Sequence, residues 1–210
     1  MLRTVITIAA VLLTAVPAAV AAAGDTDPNA NWPCVQHKVV SLTSAQMWDG
    51  PAVDTINDWW KDEEVRKLVP VLVSRRVEMD KVEEAIDAFA KAIPEGSERD
   101  RRLTLLFAGA LEETNKVRKQ IIAGIERFQD RQQARARRLE EQGIELAELH
   151  KRAEKDRAAA TAVDQAQEAY DWNARVFNER QESLPLACEI PQLIESRIFA
   201  VAQAIRARMS

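Results

Sequence analysis

The chain has 210 residues and carries 29 Lys and Arg against 33 Asp and Glu, a net charge of −4. That balance argues against a nucleic-acid binder, which needs a strongly basic surface. Glycine is scarce, β-rich runs are nearly absent, and Ala, Glu, Arg, Gln and Leu dominate; such a composition of helix formers predicts an all-α protein of a single domain.

The chain opens with Arg3, an uncharged apolar run from Val5 to Val16, a break at Pro17 and small residues through Ala23. A cationic start, a short apolar middle and a small-residue end are the layout of a secretory signal peptide, here residues 1–23. Ala21 and Ala23 place the cut before Gly24. The run is shorter than the about 20 apolar residues a spanning helix needs, and no later stretch is apolar enough. The mature chain is therefore expected in the periplasm or secreted, without a membrane span, and with 28 basic and 33 acidic side chains. In that oxidising setting the only two cysteines, Cys34 and Cys188, read as one structural disulfide.

Residues 24–96 are expected to form a base of short helices. Asn31-Trp32-Pro33-Cys34 looks like an anchor, and 35–43 like extended or irregular chain. The Asp49-Gly50-Pro51 turn predicts a helix bearing Val53, Ile56, Trp59 and Trp60, because proline suits the first helical position. Asp62 can cap the next helix, which carries Val65, Leu68 and Val69 and is expected to kink or end at Pro70. Val82, Ala85, Ile86 and Phe89 predict a third helix over about 79–93. After Pro94-Glu95-Gly96, Ser97 and Asp100 form a capping-box-like start.

Residues 97–184 are expected to form a long antiparallel helical hairpin, coiled-coil-like, with no proline between Glu98 and Leu184. Leu103, Phe107, Ala110, Thr114, Val117, Ile121, Ile125, Phe128, Ala136 and Leu139 share one face at steps of three and four. A second series runs through Leu146, Leu149, Ala153, Ala160, Val163, Tyr170, Ala174, Phe177 and Leu184. With Asp156, Gln167 and Gln181 in its gaps, it follows the heptad alternation. Gly143 is the favoured turn, since Leu139 and Ile144 would then form the apolar pair of a Schellman ending; the rival lies at 155–161. Pro185 is expected to end the arm and Pro191 to start a last helix within 185–210, packed on the base through Ile194, Ile198, Val201 and Ile205.

Motifs for chemistry are missing: there is no nucleophile elbow, phosphate loop, haem-attachment or calcium-loop pattern. His37 and His150 lack partners at metal-ligand spacing. No catalytic residue, metal or cofactor is assigned, and no enzyme activity is expected. Charge placement is more informative. Residues 24–98 sum to −7, residues 99–138 to +6 and residues 139–210 to −4. The basic cluster supplies a candidate interaction stripe of Arg127, Arg131, Arg135 and Arg138, either paired with Glu140, Glu141, Glu145 and Glu148 or docking an acidic partner or anionic surface. Trp48, Trp59 and Trp60, beside Asp58, Asp62 and Glu63, form a candidate ligand-binding base, with core packing as the plainer role. The expected function is a non-enzymatic exported scaffold that docks a protein partner along the arm and could dimerise. The alternatives are a periplasmic holdase-type chaperone and a sugar or small-ligand binder using the tryptophan-rich base.

Overall fold

The computed structural model describes residues 31–210. The expected signal segment 1–23 and its cut lie outside the described residues. These residues are mostly helical, with no strand among them and no helix long and apolar enough to cross a membrane. Its helices are α1 (Ser44–Met47), α2 (Glu63–Val73), α3 (Met79–Lys91), α4 (Ser97–Ala153), α5 (Ala160–Glu182) and α6 (Leu184–Arg206). Single 3₁₀ turns stand at Trp59–Lys61 and Arg157–Ala159.

The first part of α4 is the centre of the base. Every residue from Leu103 to Leu111 is buried, all but Thr104 of them apolar or glycine, so this stretch is buried all round and must be surrounded. It is enclosed by α2, α6 and the turn at Trp59–Lys61. Gly109 permits a close approach: a Cβ there would stand 2.7 Å from the Trp59 ring and 2.9 Å from Val69 Cγ2. On the other side Trp48 stacks on Phe107 with ring centroids 4.3 Å apart.

That packing overrides the helix expected after Pro51. The Trp48 indole N–H donates to the Pro51 carbonyl at 2.8 Å, folding the turn back on itself. Residues 52–58 stay irregular, delivering Val53 and Trp59 to the core. α2 starts as expected, with Asp62 accepting from the Glu64 and Val65 amides at 3.2 Å each. It does not stop at Pro70. Another turn follows to Val73, because burial of Leu72 outweighs the one backbone hydrogen bond that proline removes. α3 buries Val82, Ile86 and Ala90 at four-residue steps. The capping box at Ser97 does not form. Gly96, at φ 120°, is the cap residue and accepts from the Asp100 amide at 3.2 Å. Asp100 instead accepts from the Ser210 amide at 3.0 Å.

Two further boundaries differ from expectation. α4 runs straight through Gly143 to Ala153, 57 residues or about 85 Å. An interior glycine costs a helix only about 1 kcal/mol, too little to stop one packed on a neighbour. The break falls at 154–156, overlapping the start of the rival region, where the Asp156 carboxylate accepts from the Ala158 amide at 2.9 Å and starts new helical structure. At the other end α6 begins at Leu184, so Pro185 lies in its first turn, where a missing N–H costs nothing. Pro191 sits buried inside α6, not at its start. Its carbonyl accepts from Arg118 Nη1 at 2.6 Å.

α5 contacts α4: Gln132 meets Phe177 and Gln181, and Gln142 meets Asn173. Only Val163 of α5 is buried. The extended segment 35–43 is strapped along α4 and α6. Asn115 clamps the Leu42 backbone through both its amide atoms, at 2.8 and 2.9 Å. Arg118 Nε donates to the Val39 carbonyl at 2.8 Å, Lys38 pairs with Glu126, and Gln36 donates to the Cys188 carbonyl. The Cys34–Cys188 disulfide closes the strap.

Candidate functional site

The basic stripe sits on α4 beyond the base. At 3.6 residues per turn, Arg127, Arg131, Arg135 and Arg138 fall within about 80° of one another around the helix. Arg127, Arg131 and Arg138 are exposed. Among the described residues they form no ion pair, with Glu140, Glu141, Glu145, Glu148 or any other carboxylate. Arg135 is different. It is half-buried and donates from Nη1 to Gln132 Oε1 at 3.3 Å.

Gln132 is 2 % exposed and holds the α4–α5 seam by donating to the Phe177 carbonyl at 3.3 Å and to Gln181 Oε1 at 3.1 Å. The apolar spacing passes over Gln132 and points to Ala136, which is exposed. On the outer face of α5, Asp164, Glu168 and Asp171 are exposed beside Trp172, itself 61 % exposed. α4 therefore carries a cationic strip and α5 an acidic, aromatic one.

The three tryptophans of the candidate ligand base are placed apart in role. Trp48 covers Phe107. Trp59 is buried, and its indole N–H donates to Glu112 Oε2 at 2.8 Å. Trp60 stands edge-on to Trp59 at 6.1 Å and is half exposed. Two cavities of the base lie elsewhere, and neither touches these rings.

One cleft, of about 650 Å³, lies between the strap, α4 and α6, with Trp32, His37, Met47 and Phe199 among its walls. Arg118, only 3 % exposed, lies against it. Burial pushes this guanidinium below its ordinary range, and Glu195, 3.6 Å from Nη2, opposes the shift. Two backbone carbonyls hold the side chain in place, so its first role is to fasten the strap and α6 to α4. The apolar spacing of the sequence passes over it, running through Val117 and Ile121 instead. Thr114, Arg118, Ile122 and Ile125 are buried at helical steps, so an arginine stands at a core position.

The second cavity, about 550 Å³, is a groove between the C-terminal end of α2, α4 and α6. Arg197 lines it, donating from Nε to the Leu72 carbonyl at 2.8 Å. Burial pushes Arg197 down as well, with Glu78 opposing. No spacing in the sequence singles this residue out.

Among the described residues no three His, Cys, Asp or Glu side chains converge as a metal ion would require. His37 borders the first cleft and His150 is exposed near the end of α4. No protein-family model matches the chain, and comparison with curated proteins and with solved structures gave no match either.

Proposed function

We propose that the chain is an exported, non-enzymatic scaffold whose α4–α5 section forms a coiled-coil-like hairpin arm that docks an acidic protein surface. The observation that carries this reading is the set of exposed arginines, Arg127, Arg131 and Arg138, aligned on one face and engaged by no carboxylate among the described residues. An unpaired row of like charge costs self-repulsion and steers an oppositely charged partner. The reverse pairing of Gln132 with Gln181 and Gln142 with Asn173 supports the hairpin. The signal-like residues 1–23 and the Cys34–Cys188 bond support export to an oxidising compartment. Because only two helices make the arm, its seam stays half open and its flanks are surface, which suits contact over length more than enclosure of a small molecule.

The test is affinity capture from cells after crosslinking, comparing the wild type with Arg127→Glu, Arg131→Glu, Arg138→Glu. Arg135 is left intact because it supports Gln132. The expected result is a partner with an acidic surface, captured by the wild type, lost with the variant, and weakened by added salt as exposed ion pairs are screened. Equal capture by both proteins would reject the stripe as the docking face. A second reading, self-association, rests on Asp164, Glu168 and Asp171 of α5, whose charge complements the stripe of another copy. Sedimentation at micromolar concentration separates the two: a dimer that the triple reversal dissociates supports the second.

A further inference from the structure

The groove beneath α6 is independent of the arm and has a chemistry of its own. Its walls are aliphatic, supplied by Leu72, Val73, Val117, Ile194, Ile198 and Val201. Three cations join them: Arg75 and Arg76, from the chain just beyond α2, and Arg197 from α6. Arg75 and Arg76 are exposed and engaged in no ion pair among the described residues. Glu113 is the one carboxylate of the lining, and Lys116 already holds it at 3.3 Å.

Arg197 provides the second, separate observation. Its Nε is satisfied by the Leu72 carbonyl, but its Nη2 is buried with no acceptor among the described residues. Arg197 lines the groove and stands in no ion pair among the described residues, so its charge is left uncompensated beside the aliphatic wall. An apolar trough with an unmatched guanidinium and two more at its side is complementary to a molecule with an apolar body and one anionic end.

We infer that the groove between α2, α4 and α6 binds a single-chain amphipathic anion of the fatty-acid class, its carboxylate on Arg197, Arg75 and Arg76 and its alkyl chain on the aliphatic wall. The groove's about 550 Å³ lies within the size range of small-molecule sites. The alkyl chain supplies affinity by leaving water, while the arginines select the sign of the head group.

The test is isothermal titration of the disulfide-bonded protein with dodecanoate below its micelle concentration, beside dodecanol and dodecyltrimethylammonium as neutral and cationic probes. Dodecanoate is expected to bind at one site. Decanoate should bind more weakly, by up to about fourfold for each methylene removed. Arg75→Gln with Arg76→Gln, both exposed and outside the core, should weaken dodecanoate about tenfold and leave dodecanol unchanged. Val117→Trp, at a half-exposed wall position, should abolish binding while helicity and thermal midpoint hold. No saturable binding of dodecanoate overturns the inference, as does equal affinity for the alcohol, or unchanged affinity in the Val117→Trp protein. Binding by short peptides with apolar C-terminal residues in place of dodecanoate would overturn the assignment to a lipid-like chain.

Discussion

Asp62 shows how much a single side chain can hold. Its carboxylate caps α2 and takes two hydrogen bonds from Arg102, at 2.7 and 2.8 Å. Arg102 in turn lies 5.1 Å over the Phe89 ring, so the pair ties α2 to α3 and α4. The Arg102 hydrogen bonds hold the Asp62 carboxyl below its ordinary 3.8, helped by the two amides and opposed by burial. A depressed acid stabilises the fold above its unfolded pKa and loses that contribution as pH falls through the folded value. Asp62→Asn keeps a competent cap and should therefore cost about 2 kcal/mol near neutrality, from the lost charge-assisted bonds to Arg102. The gap to wild type should close below about pH 4. Urea melts of both proteins from pH 7 to pH 2.5 check it; a gap independent of pH would remove the ionic part of the account. The cap was legible in the sequence as an Asp before a helical run. The Arg102 partner, 40 positions away, was not.

At the scale of the element, local preference proved a fair guide to what forms and a poor one to where it stops. α3 follows its apolar spacing closely. α2 and α6 continue through positions where proline would ordinarily break them, since Leu72 and the residues around Pro191 are buried. Gly143 gives the sharpest test. Inside a helix, Gly143→Ala should stabilise by about 0.5–1 kcal/mol, because the new Cβ would stand an ordinary 3.6 Å from Tyr170 Cε2. At a left-handed helix end the same change would destabilise by a similar amount. Gly109→Ala should go the other way, costing about 1–3 kcal/mol by overpacking against Trp59 and Val69. Thermal melts of the two variants, read for opposite signs, decide whether α4 is continuous at 143. The polar seam residue Gln132 was not legible either: helical spacing counts apolar side chains, and Gln132 is buried by its hydrogen bonds.

For the whole molecule, the disulfide links residues 154 positions apart. Closing so long a loop restricts the unfolded chain by about 5 kcal/mol in the chain-entropy account. Cys34→Ser with Cys188→Ser should lower the thermal midpoint markedly while leaving the helical circular dichroism near wild type at 20 °C, because Asn115, Arg118 and Lys38 still fasten the strap. Loss of helix content in the double variant at that temperature would mean that the strap depends on the covalent bond alone. Two cysteines allow only one intramolecular pairing, so this staple could be read before any fold was known. The helical class, the cap at Asp62 and the third helix were settled in the same way, by composition and short-range spacing. Only the tertiary structure decided the rest: where α4 ends, that 52–58 stays irregular, that Pro70 and Pro191 lie within helices, and that Arg118 and Gln132 are buried. The physical reason is one of size. A glycine, a lost backbone bond or a cap shifts local stability by about 1–3 kcal/mol, and the burial of a few large side chains, each contributing about 1.5–3 kcal/mol, overrides it.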